Sequence, residues 1–392
     1  MRIALVGNMN NNMFVLKRYM EDLGYEDSTL FLLEEFDHFL PEKDTYDING
    51  IGSVVQLGWS EYDYWKLSKQ DIQETFKGYD YFVGVNYAAA FLHKAGIKLN
   101  MFVPSGSDVM FNPFYKFTHF PPKKWEFGVY FRSRAQRLGI KNSDYVWAAW
   151  KNEMFVSSLE RIRGKNGKTI TVLPQFLYLP QYNNLGEKFY PNADLRDKLR
   201  EKYDHIFFHH AAHRWTRGIF KCNDWLIEAF ANFLKNPKRD KNICLVMLEY
   251  GIDLDASKEL IKKLGIEEHI YWLPQSIRKN IMLDIHHLCD FGFGQFGRSW
   301  MHYGVIMEYM AMGKPFCHHR NDEMYINDYD SLYPMANAIN TEEIEQVMLD
   351  YISNPKKYTE MAPKGKEWLL HQYNDISNQE LLFVLKEAEG KL

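Results

Sequence analysis

The chain has 392 residues, 46% hydrophobic and 25% charged, with a formal net charge of −4. At roughly 150 residues per domain, that is material for two or three domains with cores of their own. The 24 glycines and 14 prolines are too few for a collagenous or low-complexity chain, and the slight acidic excess argues against a dedicated nucleic-acid binder. Cys222, Cys244, Cys289 and Cys317 form no CxxC pair, so neither a zinc ribbon nor a disulfide framework is expected, and the chain reads as reduced and cytoplasmic.

Ile3–Val6 opens the chain as a short apolar run, too brief for a signal-peptide core, and Gly7 ends it. Met13, Leu16, Met20 and Leu23 then recur at helical spacing, with Gly24 at the C-cap position. Further apolar runs stand at Leu30–Leu33, Tyr81–Val85, Met101–Val103, Tyr145–Ala148 and Ile170–Leu173. Pro174–Leu199, with three prolines and Gly186, reads as an interdomain connection acting as a hinge. Beyond it the rhythm repeats: strand Ile206–Phe208, a helix on Leu226, Ala229, Phe230, Phe233 and Leu234, strand Ile243–Leu248, helix Ala256–Leu264 and strand Ile270–Leu273. Ile277–Leu288, Phe291–Phe293, Val305–Met312 and Pro315–Cys317 continue the alternation. No run of about eighteen apolar residues occurs, so no membrane span is expected.

Continuous apolar runs alternating with helices are what a parallel sheet buried on both faces requires. The pattern predicts an α/β chain of two open Rossmann-like domains with a cleft between them. In such sheets ligands sit beyond the carboxyl ends of the strands, near helix N-termini that favour anions, so a phosphorylated ligand is expected.

Gly304 to Phe316 carries the strongest local signal: a glycine-containing loop, a helix with Glu308 in its second turn, Gly313 closing that helix and Pro315 opening a strand. Its E-x-M-A-x-G-x-P pattern resembles the nucleotide-sugar motif of retaining GT-B glycosyltransferases of family 4. Lys263–Leu273, Lys221–Asp224 and Phe293–Gly297 are similar to further stretches of that family, in its order and roughly its spacing. The resemblance implies the GT-B fold. It makes 1–185 an acceptor-side domain and 200–371 a donor-binding domain, with the helix 372–392 crossing back to the first. It implies that Glu308 accepts hydrogen bonds from the donor ribose. Gly297, Arg298, Ser299 and Gly304 would face the diphosphate, Gln275 would lie by the base, and Lys221 with Arg214 or Arg217 would be the cations. Two departures stand out: Trp300 occupies the position eight before Glu308, where the family usually has a first glutamate, and Cys222 replaces the glycine after the lysine.

The residues leave alternatives at each position. Glu308 is otherwise a solvated charge on an amphipathic helix, and the three cations are otherwise exposed loop charges. Gly7-Asn8-Met9-Asn10 offers backbone N–H groups for a sugar hydroxyl or phosphate, or else is a plain turn. Asp108, after Ser105-Gly106-Ser107, resembles a G-S-D element of sugar transferases that binds or supports the acceptor, with Ser107 beside it; an N-cap is the alternative. The histidines at 209, 210, 213, 286, 287, 318 and 319 lack recognised metal-ligand spacing, so they read as core or rim residues and no metal is expected. Phe111–Phe131 holds nine aromatics among lysines. It reads as a buried irregular lobe with a solvated edge, the alternatives being an acceptor lip or an interface with anionic lipid.

The expectation is a cytoplasmic, metal-independent and cofactor-free glycosyltransferase, with a nucleotide sugar and a glycan or lipid-linked acceptor as partners, peripheral membrane contact left open and no nucleic acid. A non-catalytic nucleotide-sugar binder and a GT-B isomerase or phosphorylase are the alternatives.

Overall fold

The structure is a computed structural model that describes residues 1–45, 48–149, 153–164, 167–183, 193–218, 221–274 and 279–391. It forms two compact units, Met1–Tyr178 with Gln372–Leu392, and Leu179–His371. Part of the proline-rich connection, 184–192, lies outside the described residues.

The first unit is built on β1 (Ile3–Val6), β2 (Ser28–Leu32), β3 (Val54–Gln56), β4 (Tyr81–Gly84), β5 (Met101–Phe102), β6 (Tyr145–Trp147) and β7 (Lys168–Ile170). They make a seven-stranded sheet in the order β3-β2-β1-β4-β5-β6-β7. Every pairing is parallel, with Ile3 opposite Ser28 on one side and Tyr81 on the other. β1 and β4 are buried throughout, as their unbroken apolar sequence demands of central strands. β3 carried no such signal because it is an edge strand, with Val55 and Gln56 exposed. The helix Asn378–Ala388 belongs to this unit. Leu381, Val384 and Leu385 are buried, and Asn378 Oδ1 accepts a bond of 2.6 Å from Gln175 Nε2.

The second unit repeats the design with β8 (His205–His209), β9 (Ile243–Leu248), β10 (Ile270–Leu273), β11 (Phe291–Phe293), β12 (Phe316–His318) and β13 (Ala336–Asn337). Its six parallel strands run β10-β9-β8-β11-β12-β13. The helix Asn223–Lys235 buries Leu226, Ala229, Phe230 and Phe233 completely against the sheet, the stripe its spacing predicts.

In both sheets the strand order reverses once, between β1 and β4 and between β8 and β11. At such a point the loops leaving neighbouring strands diverge to opposite faces and leave a crevice at the carboxyl edge.

The aromatic segment corrects the sequence reading. Phe111, Phe117, Trp125, Phe127 and Phe131 are exposed and Phe120 is fully so, so this is no buried lobe. Glu126, wholly buried, holds its loop by accepting from Thr118 N–H, Thr118 Oγ1, Tyr115 OH and Lys123 N–H. No helix among the described residues is long and apolar enough to cross a membrane.

Candidate functional site

In the second unit the loops leaving β8 and β11 are stitched together. Lys221 N–H donates to Arg214 O at 3.2 Å, and Lys221 O accepts from Phe296 N–H at 3.1 Å. Asn223 fixes the base of the β8 loop: its Oδ1 accepts from Arg214 N–H at 2.9 Å, which turns its Nδ2 toward His209 Nε2 at 2.8 Å. His209 therefore carries its proton on Nδ1, which donates to Phe293 O. Burial first, then the neighbouring His213, drives its pKa well below the ordinary value. Asp253 ties the far side by accepting from Trp215 N–H, Thr216 N–H and Thr216 Oγ1 at 2.6–3.0 Å.

Within this frame Lys221 is the exception. It is half-buried, yet its ammonium has no hydrogen bond or ion pair among the described residues. Burial, and then the positive charge of Arg214, lower its pKa to about 8. A cation taken out of water without a counter-charge is costly, and an anion brought to it recovers that cost. Arg214 and Arg217 are exposed on the same loop. Cys222, which follows Lys221, is held at φ = 50°, ψ = 50°. That left-handed conformation favours glycine, which gives a backbone reason for the glycine at this place in the family it resembles.

The β11 loop begins at Gly294, where a Cβ would come within 2.1 Å of the Tyr303 hydroxyl. That hydroxyl accepts from Gln295 N–H at 2.8 Å. Gly297 and Ser299 are half-buried and Arg298 is exposed; Ser299 Oγ accepts from Asn321 N–H at 2.8 Å. Trp300 is half-buried beside them. The helix Gly304–Ala311 starts without a side-chain cap, and Gly304 faces open space. Gln275 lies outside the described residues.

Glu308 is no solvated charge: it is 7% exposed and meets two imidazoles. His210 Nε2 lies 2.8 Å and His286 Nε2 3.3 Å from its Oε2. His210 Nδ1 lies 3.1 Å from the Tyr309 hydroxyl, which donates to Phe208 O. Sequence reasoning missed this cluster, because its members follow β8, end the helix Lys279–Leu288 and sit inside Gly304–Ala311. Its only signal was three polar residues in otherwise apolar runs. Among the described residues it is the one grouping whose three metal-ligating atoms all lie within 4.8 Å of one another. Two imidazoles and a carboxylate suit zinc or iron, but 2.8 Å is a hydrogen-bond separation, so His210 and Glu308 are paired with each other.

The corresponding edge of the first unit is organised differently. Gly7 (φ = 84°), Asn10 (φ = 55°) and Asn11 (φ = 60°) curl the β1 loop. Asn8 is fully buried. Its Nδ2 donates to Asn11 Oδ1 and Phe39 O at 2.8 and 2.6 Å, and its Oδ1 accepts from Phe14 N–H at 2.9 Å. Asp108 is also fully buried and is not an N-cap, since Gly106 holds that place. It accepts from Ser105, Gly106 and Asn86 N–H at 2.8–3.2 Å, clasping the β5 loop to the β4 loop. Burial raises its pKa despite those bonds. Asn10 and Ser107 are exposed. Glu35, just beyond β2, was also missed; it accepts from Asn8 N–H at 2.6 Å, and burial raises its pKa to about 7. Two glutamates ending an apolar run were its only signal.

No family model and no curated protein matches the sequence. Solved structures do match its fold. Anabaena HepE in complex with UDP-glucose superposes with a TM-score of 0.66 at 13% identity, over 99% of this chain and 100% of that one. Sucrose-phosphate synthase from Thermosynechococcus elongatus gives 0.61 at 13% identity, over 98% of each chain. S. aureus MnaA, solved with UDP, gives 0.59 at 12% identity, over 100% of this chain and 98% of that one. The two Rossmann-like domains have the GT-B fold.

Proposed function

We propose that the chain is a glycosyltransferase that moves a sugar from a nucleoside-diphosphate sugar to a carbohydrate or lipid-linked acceptor, with retention of configuration and without a metal. The observation that carries this reading is the half-buried ammonium of Lys221, without an ion pair among the described residues, beside Arg214 at the crevice of the second sheet. A diphosphate gains negative charge as its bond to the sugar breaks, and fixed cations stabilise that change more than the ground state. Lys221 and Arg214 supply the charge, Arg217 and Arg298 lie on the same loops, and the first N–H groups of Gly304–Ala311 complete the cradle with Gly297 and Ser299. Glu308, oriented by His210 and His286, holds the ribose hydroxyls. The acceptor hydroxyl attacks on the face from which the diphosphate leaves, and the departing phosphate takes its proton, so no protein nucleophile is assigned. On the acceptor side the exposed Asn10 and Ser107 bind hydroxyls, while Gly7, buried with its N–H already donated to Phe31 O at 2.8 Å, acts with Asn8 and Asp108 by holding the loops. The exposed Phe120, Trp125 and Phe127, beside the exposed Lys116, Lys123 and Lys124, suit peripheral contact with an anionic membrane carrying a lipid-linked acceptor.

Trp300, where the resembled family usually has glutamate, favours a second reading, a non-catalytic nucleotide-sugar binder. One experiment separates them: nucleoside diphosphate release from a panel of nucleotide sugars, UDP-sugars first because HepE and MnaA were solved with UDP. Acceptor-dependent release that survives EDTA supports the transferase. Acceptor-independent release points to an isomerase, and a requirement for inorganic phosphate to a phosphorylase. Binding without any release supports the second reading.

A further inference from the structure

A separate pocket lies at the opposite edge of the first sheet. Tyr81, Tyr145 and Lys168 are the first residues of β4, β6 and β7, so it opens at the amino ends of the strands. Its volume is about 540 Å³, and the final helix forms one wall through Val384 and Glu387. A site for a small molecule commonly measures roughly 300–1,000 Å³.

Its lining is only partly satisfied. Glu387 is spoken for: Oε1 accepts from Lys168 Nζ at 2.8 Å and Oε2 from the Tyr145 hydroxyl. Asp144 pairs with Lys98 Nζ at 2.6 Å. Arg163 gives its terminal nitrogens to Ser143 Oγ and to the carbonyls of Ile140, Ser143, Asp144 and Lys168. Among the described residues two buried polar atoms of the lining have no partner, the Tyr81 hydroxyl and Arg163 Nε. Tyr81 is only 3% exposed. Leaving a buried hydroxyl unpaired carries its full desolvation cost, which phenylalanine would avoid in the same packing. Lys141, at the rim, has no ion pair among the described residues.

The geometry points to a binding site here for a small acidic sugar, a hydroxylated ring carrying one phosphate or carboxylate. A sugar hydroxyl both donates and accepts, which matches the Tyr81 phenol, whereas Arg163 Nε only donates and needs an acceptor oxygen. Three cationic and two acidic side chains line the pocket; since both acids already have partners, the surplus charge of Lys141 favours an anion. Burial holds the Tyr81 phenol in its neutral form by raising its pKa far above the ordinary value. Such a ligand would bridge the final helix to β4. None of these residues belongs to the proposed donor or acceptor machinery.

Calorimetry on the full chain with glucose 6-phosphate, glucuronate, glucose and inorganic phosphate tests this. Glucose 6-phosphate or glucuronate should saturate below about 1 mM, with glucose and phosphate each about tenfold weaker. Tyr81→Phe should leave the melting temperature of the ligand-free protein equal or higher while weakening the acidic sugar about tenfold. Lys141→Ala should weaken the acidic sugars and leave glucose unchanged. Neither variant should alter UDP affinity, and Lys221→Ala should not alter that of the acidic sugar, so the two sites fail or stand separately. The proposal is overturned if no probe saturates by about 10 mM, if both variants bind as the wild type does, or if phosphate alone binds as tightly as glucose 6-phosphate.

Discussion

The two sheets share one topology, and their carboxyl edges are equipped in opposite ways. At the edge of the second sheet a half-buried lysine has no counter-charge among the described residues and a glutamate is braced by two histidines. At the edge of the first, the polar side chains that look available in sequence, Asn8 and Asp108, are fully buried and consumed by their own loops. The ionisable group left there is an acid, Glu35. A shared strand order therefore does not dictate chemistry: the second edge leaves a cation without a counter-charge among the described residues, and the first spends its polar groups on backbone shape. A desolvated charge without a partner is the better mark of a ligand site.

The largest effect should come from Lys221→Ala. If its ammonium meets charge that grows in the transition state, turnover falls about 10²–10³-fold while ground-state donor affinity changes less. The wild-type affinity for a nucleoside diphosphate should also fall as pH rises through about 8, where Lys221 loses its proton, and the variant should lose that dependence. Equal turnover in variant and wild type would remove the contrast between the two edges.

Glu308→Ala should weaken donor binding roughly ten- to hundredfold, since a hydrogen bond to a charged group contributes about 1.5–3 kcal/mol. A lower melting temperature with unchanged donor affinity by calorimetry would make Glu308 a partner for His210 and His286 and nothing more.

Glu35→Gln probes the other edge. The folded-state pKa is raised to about 7 from 4.5, so the folded state binds the extra proton between those values and the wild type loses stability as pH rises across them. The glutamine variant should therefore be the more stable protein at pH 8, by a few degrees in melting temperature, with the gap closing near pH 4.5. A gap independent of pH would show that Glu35 does not titrate as its burial demands.

Cys222→Gly should be the mildest. Relief of the left-handed conformation, about 1 kcal/mol, offsets the loss of a small buried side chain, so the melting temperature should move by only a few degrees. Cys222→Val, β-branched at the same φ, should cost clearly more.

Much of this was written in the sequence. The apolar runs at Ile3–Val6, Tyr81–Val85, Ile243–Leu248 and Phe291–Phe293 became central strands, because only a strand buried on both faces needs unbroken apolar residues. The stripe on Asn223–Lys235 and the glycine-closed helix before Pro315 were legible for the same local reason. What tertiary structure alone decided was pairing. His210, His286 and Glu308 are brought together by three elements far apart in the chain, and Lys221 is distinguished by having no partner among the described residues. Edge strand β3, with Val55 and Gln56 both exposed, left no buried apolar run to read. The pocket beside Tyr81 needs a helix more than 290 residues away. Periodicity records how each segment meets the core; which polar groups meet, and which are left without a partner, is set only when strand order and register bring distant segments side by side.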